Sequence, residues 1–191
     1  MSRIAIVTPE TTPPASTPLL EQLRHRGLTP SVFMNLHAQM AYAPSIIGAY
    51  IGARHAVAEW GTLDPRARSA VMLAVSATHG ATYAQAVNAV LARRAGWMDE
   101  QIAEIMAGTF DDDAKIAAML RVAREAARDV GHVAEGTWQA ALDAGWSDAE
   151  LADAFASIGL TTFVDYFVNF AQTPLDLPAP PMSGRPVLSH A

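Results

Sequence analysis

The segment "THGATYAQAVNAV", residues 78–90, holds the chain's densest acid–base material. His79 can exchange a proton near neutral pH. Tyr83 offers a hydroxyl, and Asn88 an amide that both donates and accepts. Positions 81, 84 and 88 recur at helical spacing, and at about 100° per residue they fall in one narrow sector. They hold Ala81, Ala84 and Asn88. On the preceding helix Ser69 and Ser76 also share a face, and in a two-helix hairpin the faces oppose. The pattern predicts a small pocket bounded by Ser69, Ser76, Ala81, Ala84 and Asn88. His79, Tyr83 and Asn88 are its candidate catalytic or ligand-bonding groups.

Each of these residues also has a plainer reading. His79 suits the C-terminal end of a helix, where the dipole favours a cation. Tyr83 reads equally as a packed ring with a satisfied hydroxyl. His37 lies near Asn35 and Gln39 and can reach a cavity; His55 packs or faces solvent; His132 sits in a turn. The histidines show no H-x-x-x-H or H-x-x-E spacing, so no metal and no cofactor are expected. Met34, Met40, Met72, Met106 and Met119 read as core filling. The chain has no cysteine, which removes disulfides, thiol nucleophiles, thiolate metal sites and iron–sulfur clusters together.

The elements that would position these residues are helices. Thr17 and Pro18 open a helix over 18–27, and a second covers 31–40. A third lies between Pro44 and Gly61. Asp64 and Pro65 start the helix carrying Ser69 and Ser76, which Gly80 closes. The helix carrying Ala84 and Asn88 runs from about Thr82 to Ala95, ended by Gly96. The clearest pattern is in 110–131, where Ile116, Met119, Leu120, Ala123, Ala127 and Val130 recur at i, i+3, i+4 behind three aspartates. Two more helices follow, over 136–145 and from about Ser147 to Val168. "AGWMDEQIAEI" (95–105) is echoed by "AGWSDAELADA" (144–154). The echo suggests a duplicated helix–turn–helix unit in which Gly ends one helix, Trp fills the corner and Asp caps the next. The expectation is an all-α, single-domain bundle of about eight helices over 17–173. It follows an N-terminal arm (1–16) that contains a possible short strand, "RIAIV", and precedes a Pro-rich arm (174–191).

Composition narrows the classes. The chain has 191 residues, 51% of them hydrophobic and many of these alanine, with a net charge of −6. Thirteen scattered Lys and Arg give no nucleic-acid footprint. No run of about 18 apolar residues suggests a membrane span. A cytoplasmic protein is the expectation.

The stretch from "MNLHAQMAYAPS" to "DEQIAEIMAG" and the later "DYFVNFAQTPLD" resemble the carboxymuconolactone decarboxylase / alkylhydroperoxidase D-like family, over roughly residues 33–178. Redox members of that family carry a Glu, a Cys-x-x-Cys twelve residues on, and a His four residues after the second Cys. Here those positions hold Ser69, Ala81, Ala84 and Asn88, while the Tyr that commonly precedes the second cysteine is kept as Tyr83. The resemblance therefore implies a divergent member that has lost its dithiol. It also implies a homo-oligomer. Peroxide reduction needs a thiolate to attack the O–O bond and a second thiol to resolve the sulfenic acid. Nothing matches the decarboxylase branch's His-containing segment, so the family name is not read as a reaction. Three functions stay open: binding of a small apolar molecule in the former active-site pocket; acid–base chemistry in the same pocket, such as decarboxylation, isomerisation or lactone chemistry; and a Cys-to-Ala form of a peroxidase. The last would not account for Ser69 and Asn88 as well.

Overall fold

A computed structural model describes residues 2–25 and 34–181. Among them are nine α-helices and no strand. They are α1 (Thr17–His25), α2 (Asn35–Met40), α3 (Pro44–Trp60), α4 (Pro65–Thr78), α5 (Thr82–Arg94), α6 (Asp99–Ala107), α7 (Ala114–Arg128), α8 (Glu135–Asp143) and α9 (Asp148–Ala171). The expected starts at 31–33 and the end at 26–27 lie outside the described residues. Within the described residues "RIAIV" pairs with no strand and runs as an arm. Arg3 N–H donates to the carbonyl of Ala171 at the end of α9 (2.9 Å), and Val7 is buried. The segment lies along helices that already satisfy their own backbone, so no sheet edge is available to extend.

Caps set the helix starts. Asp64 accepts from the N–H groups of Arg66 (2.9 Å) and Ala67 (3.0 Å), with Pro65 in the first turn. Asp113 does the same for Ile116 N–H on α7 (3.1 Å). Ser147 and Glu150 form a reciprocal capping box on α9. Asp99 and Asp148 are first-turn residues and not caps; the caps are Met98 and Ser147. The acid still meets the positive helix end from one residue further on.

The duplication reaches further than the turn. Trp97 and Trp146 both close corners, and each indole N–H donates to a carbonyl in the helix before last: Trp97 to Arg66 (2.9 Å), Trp146 to Lys115 (2.7 Å). The Arg66 guanidinium lies 3.9 Å from the centre of the Trp97 ring, and the Lys115 ammonium 4.3 Å from that of Trp146. Gly96 and Gly145 both take positive φ, 90° and 94°. Residues 64, 66, 96 and 97 thus correspond to 113, 115, 145 and 146, all at one offset, and the repeated unit is α4–α5–α6 matched by α7–α8–α9.

Two hydrophobic clusters meet along α9. One joins α4, α6, α7, α8 and the N-terminal half of α9 around Trp97, Phe110 and Trp146. The other joins α1, α2, α3, the start of α5 and the C-terminal half of α9 around Leu36, Met40 and Ile47. By length and composition α9 could cross a membrane, at a mean hydropathy of 1.3, but 44% of that stretch is buried in the fold. It packs on α3, α4, α5 and α7. Its opposite side leaves Phe155, Tyr166 and Phe170 exposed.

Trp97 and Trp146 are the most tightly held features of the repeat, so Trp97→Ala and Trp146→Ala should each lower unfolding free energy by ~3–5 kcal/mol. The Phe variants keep the packing but strand a carbonyl and should lose only about 1 kcal/mol. Urea unfolding followed by circular dichroism reads both. A Trp146→Ala loss below about 1 kcal/mol would remove the corner from its structural role.

Candidate functional site

At the seam between the two clusters the helices leave a cavity of about 210 Å³. It is bounded by α3, α4, α5 and α9, with Leu36 at one side. Its walls are mainly aliphatic, among them Val57, Met72, Val87, Leu91, Leu160 and Val164. The polar groups in the lining are Tyr50, Arg54, Arg68, Asn88 and Thr161.

Ala84 and Asn88, one turn apart on α5, both line this cavity. Ala84 contributes only a methyl group, so its position leaves room. Asn88 is buried, and its Nδ2 donates to Ser76 Oγ (2.8 Å) and to the carbonyl of Met72 (3.2 Å). The expectation that Asn88 points inward and finds partners therefore holds.

The other predicted residues are placed differently. Ser69 is buried but does not line the cavity; its hydroxyl donates to the carbonyl of Arg66, one turn back (3.0 Å). It sits on the side of α4 nearer Trp97, which corrects the expected convergence of Ser69 with Ala84 and Asn88. Ala81 is fully buried in the second cluster as the N-terminal cap position of α5. Tyr83 is also absent from the lining. Its hydroxyl donates to Asp176 Oδ1 (2.8 Å) and accepts from Leu36 N–H (3.2 Å). Burial first, and the Asp176 charge with it, push that phenol far above its ordinary range. Tyr83 thereby pins the arm after α9 onto the bundle. Asp176 also accepts from Asn35 N–H (2.7 Å), and Pro174 from the Asn35 amide (3.0 Å).

His79 caps the end of α4, as its dipole reading has it, but the structure adds a partner that the sequence reading missed. Nδ1 lies 2.9 Å from Asp165 Oδ2, and Nε2 lies 3.2 Å from the carbonyl of Ala127. The Ala127 carbonyl can only accept, so Nε2 donates to it, and Nδ1 faces the Asp165 carboxyl. Asp165 has no exposed surface. Its second oxygen accepts from the hydroxyl of Ser76 (2.9 Å). A continuous chain results: Asn88 to Ser76 to Asp165 to His79 to the end of α7. Burial raises the Asp165 carboxyl to about 6, against the opposing pull of its bonds to His79 and Ser76. The available signal was a lone carboxylate within the apolar run "LTTFVDYFVNF". A charge there needs a partner.

Tyr50 and the two arginines were also missed. Arg54 Nη1 donates to Tyr50 Oη (2.5 Å), which lies 3.4 Å from His37 Nε2. Burial, then the Arg54 charge, lower His37 to about 4. His37 is therefore neutral at pH 7 and able to accept from the Tyr50 hydroxyl. His37 does not line the cavity but supports a residue that does. His55 pairs with Glu59 (2.7 Å) at the surface. Among the described residues no three His, Asp or Glu side chains converge to hold a metal.

The helical order and this seam define an alkylhydroperoxidase D-like bundle. A peroxidase-related protein with an alkylhydroperoxidase AhpD core, from Ralstonia eutropha JMP134, superposes with a TM-score of 0.78 at 18% identity, over 92% of both chains. A peroxidase-related protein from Silicibacter sp. TM1040 gives 0.71 at 15%, over 90% of this chain and 89% of that one. A cysteine-to-alanine variant of the debrominase Bmp8, in complex with 2,3,4-tribromopyrrole, gives 0.73 at 13%, over 92% of both. Residues 44–129 match the carboxymuconolactone decarboxylase family, and the chain contains no cysteine. No curated protein matches it in sequence.

The Asp165 pair generates a pH signature. A carboxyl raised from its ordinary 3.8 to about 6 in the fold contributes stability that is fully present below pH ~4 and lost as pH rises through ~6. Stability of the wild type minus that of Asp165→Asn should therefore fall between pH 4 and 6 and level off above. Urea midpoints across that range test it. A difference that grows with pH would show that the bonds to Ser76 and His79 outweigh burial.

Proposed function

We propose that this protein binds a small, mostly apolar molecule in the cavity beside Ala84 and Asn88 and performs no thiol chemistry. The observation that carries this reading is positional. The cavity opens where the resemblance puts the second cysteine and the histidine of redox members, and those positions now hold a methyl group and an amide. A vacated site without selection for a ligand would be expected to fill, because each unfilled volume costs packing energy. Here the wall keeps Ala84, and about 210 Å³ stays open. The Bmp8 variant with 2,3,4-tribromopyrrole is a precedent for a small apolar ring held on this fold without one of its cysteines.

Acid–base catalysis through His79 and Tyr83 has less support. Neither residue lines the cavity. The Tyr83 hydroxyl is engaged by Asp176 and Leu36, and both His79 nitrogens face acceptors. The groups that do reach the cavity suit binding: hydroxyls, an amide and two guanidiniums. A cysteine-free chain has no sulfur to form a sulfenic acid.

The homo-oligomer has separate support in α9. Phe155, Tyr166 and Phe170 are 60%, 60% and 66% exposed on one helix, an apolar display that a second copy would cover.

Isothermal titration with octan-1-ol and indole tests the binding reading. At least one should bind saturably at one site per chain, and Ala84→Phe should abolish that binding while leaving the melting temperature equal or higher. Absence of binding by both, or binding indifferent to Ala84→Phe, would overturn it, as would peroxide consumption with a dithiol donor that tracks the purified protein. Light scattering should show more than one chain per particle, with Phe155→Glu plus Phe170→Glu shifting it to monomer. A monomeric wild type would exclude the α9 interface.

A further inference from the structure

Two guanidiniums stand in the wall of a mostly aliphatic cavity, and no carboxylate stands there with them. Arg68 comes from α4 and Arg54 from α3, and both line the cavity. Among the described residues neither forms a salt bridge. Arg68 is tied by one edge only: Nη2 donates to the carbonyl of Leu63 (2.8 Å) and, more weakly, to that of Gly61 (3.4 Å). Its Nε is cut off from solvent and has no partner. The charge of Arg68 acts on Asp153, but that carboxylate makes no salt bridge with it and bonds through Oδ2 to the N–H groups of Thr62 and Leu63. A glycine at 61 lets Arg68 lie this close: a Cβ there would come within 2.9 Å of Nη2 and within van der Waals conflict of the Val57 carbonyl. Arg54 is directed by Tyr50, whose oxygen accepts from Nη1. Asn88 adds an amide in the same wall, with its Nδ2 already committed to Ser76 and Met72.

A buried donor without an acceptor is costly, and almost all such groups in folded proteins have partners. A guanidinium in a largely aliphatic wall favours a planar anion, which can accept two N–H bonds at once from its fork. From the two guanidiniums without a salt bridge and the aliphatic remainder of the cavity, we infer that the ligand is an amphiphilic anion: a compact apolar body carrying one carboxylate, held by Arg54 and Arg68. This deepens the binding reading above and rests on it. It also assigns specificity to two arginines outside the positions that the resemblance marks.

The test compares three probes that differ only in the head group: octanoate, octan-1-ol and octylamine, titrated calorimetrically into the full chain at pH 7. Octanoate should bind at least about tenfold tighter than octan-1-ol, and octylamine weakest of the three. Arg54→Gln and Arg68→Gln should each remove most of the octanoate advantage and leave octan-1-ol affinity within about twofold. Raising the salt concentration should weaken octanoate alone. Arg68 also holds the turn after α3, so Arg54→Gln, on a half-exposed side chain, serves if Arg68→Gln does not fold. Equal affinities for octanoate and octan-1-ol, or an octanoate preference that survives both substitutions, would overturn the anion inference while leaving the apolar binding site standing. If none of the three probes binds, the anion inference and the binding reading both fail.

Discussion

The bundle is organised around one buried carboxylate. Asp165 has no solvent contact, and its two oxygens reach two groups on α4, the Ser76 hydroxyl and the His79 ring. A charge in that position is destabilising unless paired and bonded. Satisfying it fixes the register of α9 against α4. Sliding either helix by one residue would break both bonds and bury an unpaired charge. The register in turn places Leu160, Thr161 and Val164 on the cavity wall. Ser76 then sits where it accepts from Asn88, so α5 is tied to the same point.

Around that point the duplication creates an asymmetry. The Trp corners, Gly turns and Asp caps recur between α4–α6 and α7–α9, and they build the first hydrophobic cluster almost symmetrically. The polar chain has no such twin. The position matching Ser76 in the second copy is Glu125, which accepts from Ala134 N–H near the surface. Ser76 in the first copy thus has an interior role that its counterpart lacks. The last helix is far longer than its counterpart α6, 24 residues against 9. That extra length carries Asp165 and closes the cavity.

The cavity keeps small and amide side chains at Ala84 and Asn88, and the space beside them is walled by aliphatic groups, with two guanidiniums in the lining. Tyr83, one residue before Ala84, anchors the C-terminal arm through Asp176. Its hydroxyl is spent on that anchor, which accounts for its absence from the cavity wall.

Helices, caps, turns and the repeat were legible in the chain, because each rests on neighbours within a few residues: Asp64 with Arg66 and Ala67, Ser147 with Glu150, Gly96 and Gly145 at positive φ. Absence of thiol chemistry was equally legible, since it depends only on composition. Within the site, the sequence pointed to Ala84 and Asn88, whose spacing on one helix is local information. It could not place Ser69, which turns to its own backbone, or give Tyr83 and His79 the partners they have. Those partners, Asp176 and Asp165, lie 93 and 86 residues away. "RIAIV" left a short strand and an arm both open, because only the fold decides whether a second edge exists to pair with. Arg54 and Arg68 carry no local mark of a shared cavity. That both line it is set by how α3 and α4 pack, and such long-range packing leaves no period in the sequence.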